Sequence, residues 1–481
     1  MTPTEAGPRW TRVADVLVLA LAAASLYAAL AGRAVLTGFG QFVLPSASLL
    51  VFVCASLLLV RHVAHPRPGL AATLARWGAR LQVHPHLAAA VRAFVATRPA
   101  VFLVAYFAVV TIGFPPKPVG FTLSPDPLGN LPARFDAGWY GGIARNGYNW
   151  DHQFERQRNI AFFPAMPMLM RPVGSLLGVN HPSLPESKRL LRMLWAGVFV
   201  SLAAFAWALC YLSRLSDLVA GPSAAAYAPL LLAAYPFAVF FNAPYTESLF
   251  LLAAVGAFYH FHREEWGRAS LWGLVVGLSR PNGALVSVAL GVLALQQVCA
   301  PAGGPRAAFV VPPKRVAGSL AIRLGVAAAP GIGMLMFTGY LYWLTGVWFA
   351  WARMQGAWGR SWSTGPIAEG WERLATDGLL GAFQGVPYDT LNTFAVLFAL
   401  ALTWTVYRRL GLAYASFVLV NLVPPIFAGG ALSMGRVTST LFPIFIALAA
   451  IVRPPAVPAW VATFAVLQGF VATLFFTWRQ L

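Results

Sequence analysis

Apolar runs of ~20 residues recur from one end of this chain to the other, and that feature decides the class of fold. A run of that length crosses the hydrocarbon of a bilayer as a helix, which satisfies its own backbone hydrogen bonds there. Hydrophobic residues make up 59% of the chain and charged residues 10%. Soluble domains carry ~25% charged residues, so the chain reads as an all-α polytopic membrane protein. Its formal net charge of +19 would suggest nucleic acid in a soluble protein. Here the arginines gather between apolar runs, where topology and lipid headgroups explain them and no nucleic acid is needed. The run that starts at Val13 is too long for a signal peptide and is followed by another, so it reads as a retained helix. Cys54, Cys210 and Cys299 lie inside apolar runs and offer neither a disulfide framework nor a ligand spacing.

Crossings are expected near 13–32, 42–60, 95–113, 193–212, 224–241, 245–262, 324–345, 391–407, 411–428, 437–452 and 456–476. Two shorter helices near 268–280 and 283–299 bring the count to about thirteen. Six arginines and no acid from Arg61 to Arg98 mark a cytoplasmic loop. The segments 114–192 and 346–390 then form large extracytoplasmic loops. Residues 1–90 are read as two N-terminal transmembrane helices with a basic cytoplasmic loop, and 91–481 as the main membrane module. Around Met166–Leu177, Pro164, Pro167 and Pro172 interrupt an apolar stretch, which suits an interfacial or re-entrant helix. The few lysines, many arginines and heavy alanine content fit a GC-rich bacterial genome and hence a bacterial plasma membrane.

Chemistry is sought among the acids because only 15 exist. Most fall in the two outer loops. Asp136 sits in a polar, aromatic, glycine-rich stretch, Arg134 to Tyr148, beside Trp139 and Tyr140. A carboxylate held against aromatic rings suits a sugar-handling base; the plainer alternative is a helix cap with interfacial aromatics. Glu247 lies at the outer end of an expected crossing, where an ionisable group points to function, or else to a carboxylate favoured by a helix N-terminus. Arginines on the same side, among them Arg280, Arg353, Arg360 and Arg436, suit a lipid-linked phosphate because the guanidinium fork donates two hydrogen bonds. Arg280 and Arg436 stand out, each in a tight turn between apolar helices. His260 and His262 point to different helix faces and make a poor metal pair.

These residues resemble a family. Phe135 to Tyr148, followed by Ala161-Phe-Phe-Pro-Ala-Met-Pro167, is similar to the first large loop of PIG-V-type mannosyltransferases. Three later blocks fit in the same order: Phe240 to Phe250 with Tyr-Thr-Glu-Ser, Ser279-Arg-Pro-Asn-Gly283, and Gly435-Arg436 leading to Leu441-Phe-Pro443. The segment Trp348 to Arg360 resembles the bacterial members. The likeness spans roughly 95–475, and Phe135 stands where the family usually has Trp. It implies a GT-C-like transmembrane catalytic module over 91–481, with the two N-terminal helices as an addition.

The resemblance further implies an inverting glycosyltransferase on the extracytoplasmic face, moving a sugar, mannose by family, from a polyprenyl-phosphate donor to a glycan, glycolipid or protein acceptor. Asp136 would be the catalytic base. Arg280, Arg353 and Arg436 would bind the donor phosphate. Arg134, Trp139, Tyr140, Tyr148, Glu247, Asn282, Gln355 and Trp358 would contact substrate. No cofactor is required; a divalent metal is compatible with this chemistry without being indicated by it. The competing class, a lipid or glycolipid transporter or flippase without covalent chemistry, would want facing charges at mid-membrane and repeated broken helices.

Overall fold

The structure, a computed structural model, describes residues 8–31, 35–36, 42–43, 47–66, 84–116, 121–299, 314–360, 362–365, 368, 372, 375–378, 387–431 and 433–479. Parts of the expected basic loop and of the loop 346–390, including Glu369 and Trp371, lie outside the described residues.

The protein is an all-α polytopic membrane protein; its strands form only a two-residue antiparallel ladder, Val35–Leu36 with Phe42–Val43, among the described residues. The helices α1 (Arg9–Ala31) and α2 (Ala47–Ala64) pair with each other. Arg61 Nε donates to Asp15 Oδ1 at 2.7 Å inside that pair. α3 (Pro85–Phe107) continues through one π turn to Ile112, and the short α4 (Ala137–Asn146) and α5 (Ala165–Leu176) follow. Then come α6 (Glu186–Ala220), α7 (Pro222–Ala234), α8 (Glu247–His262), α9 (Trp266–Ser279) and α10 (Val286–Cys299). After them run α11 (Lys314–Ala327), α12 (Ala329–Thr345), α13 (Ala350–Met354), α14 (Pro387–Leu410), α15 (Leu412–Gly429), α16 (Met434–Thr438), α17 (Phe442–Ile451) and α18 (Val457–Phe476).

Two of these helices explain where the core sits. α8 and α17 are apolar on all sides, so no face of either prefers solvent, and nearly every residue of both is buried. Glu247 opens α8 and is therefore carried into the interior.

The expected count of about thirteen crossings is not confirmed. Six helices among the described residues are long and apolar enough to cross a membrane, and two sharply bent pairs bring the number to eight. Pro236 breaks the expected crossing 224–241 into α7 and a 3-10 turn, Pro236–Asn242, bent by 81°. The expected crossing 245–262 becomes α8, whose 16 residues reach ~24 Å, short of the ~30 Å hydrocarbon core.

A broken helix inside a membrane needs other partners for its freed carbonyls. Buried Arg98, on α3, supplies them: its terminal nitrogens donate to Ala233 O and Ala238 O, both at 2.6 Å. Gln468, on α18, donates to Ala233 O at 2.9 Å and to Tyr235 O at 2.8 Å. Elsewhere, α9 and α12 touch backbone to backbone at Gly277, where a Cβ would lie 1.9 Å from Pro330 O. A side chain there would push the helices apart.

Candidate active site

The turn before α4 sets the carboxylate. Phe135 adopts φ 41°, a left-handed conformation uncommon for a bulky residue. Its ring holds it there by stacking on Phe475 and lying 4.6 Å from Trp478. Asp136 follows at the N-cap position of α4, yet its side chain makes no capping hydrogen bond. Its backbone N–H instead donates to Tyr245 Oη at 3.0 Å, and that hydroxyl donates to Arg134 O at 3.0 Å. The plain capping reading of Asp136 therefore fails, and the carboxylate is free to meet the basic side chains.

Those come from two distant turns. α16 places Arg436, whose terminal nitrogen donates to Asp136 Oδ2 at 2.9 Å. Gly435 allows this: Phe237 packs so closely that a Cβ there would lie 2.1 Å from its ring. Glu247, 1% exposed, sits behind both arginines. Arg280 donates to Glu247 Oε1, and also to Thr246 Oγ1 at 3.1 Å. Arg436 Nε lies 3.2 Å from the same Oε1, near enough for an ion pair but off-axis for a hydrogen bond, and Glu247 Oε2 has no hydrogen-bond partner. The result is an alternating chain of charges, Asp136–Arg436–Glu247–Arg280.

Asp136, Arg280, Arg436 and Arg360 all line one cavity of about 610 Å³. Tyr140, Asn282, Gln355 and Trp358 line it as well, with Phe162, Trp351 and Trp362 adding aromatic wall and Pro424 and Leu285 adding apolar surface. Asn282 donates to Asn421 Oδ1 at 2.8 Å, so part of its amide is committed to packing. Burial, then the charge of Glu247, raises the Tyr140 phenol above its usual range, so it remains a proton donor. Burial, followed by the charge of Arg436, lowers the Arg360 guanidinium from its usual value. Among the described residues, Arg360's guanidinium has no hydrogen-bond or ion-pair partner of its own.

Several expected site residues do not reach the cavity wall. Arg134 is buried and turned away: its Nε donates to Phe476 O at 2.7 Å and a terminal nitrogen to Asn130 O at 2.8 Å, capping the end of α18. The turn at Phe135 is what separates it from Asp136. Arg353 is exposed and lies over the Phe154 ring, 4.2 Å from its centroid. Trp139 stacks on Phe162 and supports Trp358 from behind. Tyr148 spends its hydroxyl on Phe162 O at 2.7 Å. Glu247 lies beneath the wall. Tyr245 and Thr246, which adjoin Glu247 in sequence, join the site beyond the expected set, as does Arg360, read from the sequence only as one of the outer arginines. No group of three or more His, Cys, Asp or Glu side chains that could hold a metal ion occurs among the described residues.

Residues 123–299 match the model of a family described as Mannosyltransferase (PIG-V). That segment is similar to the PIG-V family. It carries Asp136, Glu247, Arg280 and Asn282, while Arg360 and Arg436 lie beyond it, so the match is shorter than the likeness read from the sequence. The match supports glycosyltransferase activity and agrees with a multi-pass membrane protein. No curated protein matches the chain in sequence. Solved structures with some likeness include the archaeal oligosaccharyltransferase AglB from Archaeoglobus fulgidus in complex with an inhibitory peptide and a dolichol-phosphate. It has 12% identity and a TM-score of 0.38, over 80% of this chain and 56% of that one. The A. fulgidus oligosaccharyltransferase in complex with Zn and sulfate has 13% identity and a TM-score of 0.37, over 79% and 53%. The chain thus spans about half the length of these structures, and scores at this level carry no functional weight.

Proposed function

We propose that the protein transfers a sugar, mannose by the family that residues 123–299 match, from a polyprenyl-phosphate donor to a hydroxyl of a glycan, glycolipid or protein, inverting the anomeric carbon. One observation carries this reading: a single cavity joins the carboxylate of Asp136 to the guanidinium groups of Arg280, Arg360 and Arg436. Asp136 takes the acceptor proton as the acceptor oxygen bonds to the anomeric carbon. The bond from that carbon to the phosphate oxygen breaks, and its electron pair leaves with the lipid phosphate. Positive charge must meet that developing anion, and the three arginines supply it. Aromatic faces of Trp358 and Trp351 suit the sugar's C–H groups. The lipid tail runs between helices, along the apolar part of the wall.

A lipid phosphate leaves as a stable anion, so the reaction needs no strong general acid. The guanidinium groups do the work a divalent ion would do, and transfer is proposed to need none. Turnover unchanged after chelation supports this; loss of turnover restored by a metal overturns it. The site is proposed to face the extracytoplasmic side of a bacterial plasma membrane, a placement supported by Arg67, Arg76, Arg80 and Arg92, which stand with no acid among them after α2.

Asp136→Asn tests the assignment of the base. Transfer from a radiolabelled lipid-linked sugar is expected to fall by ~10²–10⁴ while expression and folding hold. Transfer at the wild-type rate removes Asp136 from the mechanism.

A further inference from the structure

We propose that Arg436 follows the charge through the reaction: it pairs with Asp136 before transfer and with the departing lipid phosphate after it. This rests on the donor reading above and adds to it a specific role for the ion pair. A sugar linked to a lipid phosphate is a phosphodiester with one negative charge. The product lipid phosphate is a monoester whose second pKa is ~6, so it is mostly a dianion at pH ~8. Transfer takes one proton from the acceptor hydroxyl and places it on Asp136. One unit of negative charge therefore moves from Asp136 to the phosphate, and the total within the cavity is unchanged.

Arg436 is built to track that movement. Its terminal nitrogen donates to Asp136 Oδ2 at 2.9 Å, and both side chains line the same cavity. Its Nε stays 3.2 Å from Glu247, which is buried beneath the wall and does not line the cavity. The terminal nitrogens can change partner while Glu247 retains the base of the guanidinium. Arg280 differs in having no bond to Asp136 to exchange among the described residues: its hydrogen-bonded terminal nitrogen serves Glu247 and Thr246. Tyr245 contacts the Asp136 turn, and Tyr140, Arg360, Arg280 and Glu247 complete the charged or titratable groups around the pair.

Two consequences separate this from a static ion pair. A phosphate dianion that draws Arg436 away leaves Asp136 unpaired beside it, so binding should bring a proton onto Asp136. Removing the Asp136 charge should release Arg436 and tighten phosphate binding, although Asp136 is the proposed base.

The experiment is calorimetric titration of farnesyl phosphate into the full-length protein in lipid nanodiscs at pH ~8, in two buffers of different ionisation heat. Wild type is expected to take up close to one proton per phosphate bound. Asp136→Asn is expected to take up none and to bind about 5- to 50-fold more tightly. The gain should vanish in Asp136→Asn combined with Arg436→Gln, a coupling that simple destabilisation would not produce. Wild-type binding without proton uptake overturns the exchange and leaves the donor reading standing, as does an Asp136→Asn protein that folds yet binds no more tightly. If Asp136→Asn fails to fold, wild-type proton uptake decides alone. Absence of any binding by wild type overturns the donor reading and the exchange together.

Discussion

Asp136 and Arg436 lie 300 residues apart in the chain, and their side chains meet at 2.9 Å on the wall of one cavity. Arg436→Gln removes a donor aimed at the developing anion. The expected loss in kcat/KM is ~10²–10³, with a raised donor KM, measured with a radiolabelled lipid-linked sugar. Unchanged donor kinetics would assign Arg436 to packing.

Arg360 and Arg353 make a direct contrast. Arg360 lines the cavity and Arg353 lies over Phe154 outside it. Arg360→Gln should lower kcat/KM by about 10-fold or more, while Arg353→Gln should change it by no more than about 2-fold. The reverse ranking in the same assay would place the donor phosphate elsewhere.

Glu247 is the counter-charge for Arg280 and Arg436. Truncation to Ala leaves Arg280 buried without a carboxylate, a change of about 3–5 kcal/mol for a buried pair. Glu247→Ala should lower the thermal midpoint in detergent far more than Asp136→Asn, whose carboxylate is 29% exposed. Equal midpoints for the two variants would contradict the buried pair.

On the far side of α8, Arg263, Arg268 and His260 hydrogen-bond Glu265 and hold its carboxyl at about 2, below the ordinary value. A depressed folded-state pKa gives stability that is full above the unfolded value of ~4.3 and is lost as pH falls through the folded one. Wild type should therefore lose thermal stability faster than Glu265→Gln as pH falls from about 5 to about 2. Parallel curves would remove Glu265 from the acid response.

The class of fold was legible because apolar run length is itself a physical requirement of the bilayer. The bend within one run was not, since a run broken by Pro236 reads as continuous until Arg98 and Gln468 are seen to satisfy its carbonyls. Asp136, Arg280 and Arg436 were legible from residue type in otherwise apolar or Gly/Pro-rich surroundings. Arg134 misled because sequence adjacency hides the left-handed turn at Phe135 that sends the two side chains apart. Arg360 was visible among the outer arginines, but nothing in a linear segment ranks it above Arg353. Gly359, at φ 69°, redirects the chain just before it. The shared role of Glu247 could not be read either, because its partners come from separate turns.

α18 bears on how the protein is made. Gln468 braces the bend after α7, Phe475 seats the ring of Phe135, and Phe476 O receives Arg134. A ribosome delivers those residues after α4 and α7 have been made. The nascent chain must therefore hold an unbraced bend and a loosely held Phe135 turn until α18 inserts, and the wall that carries Asp136 is set only then.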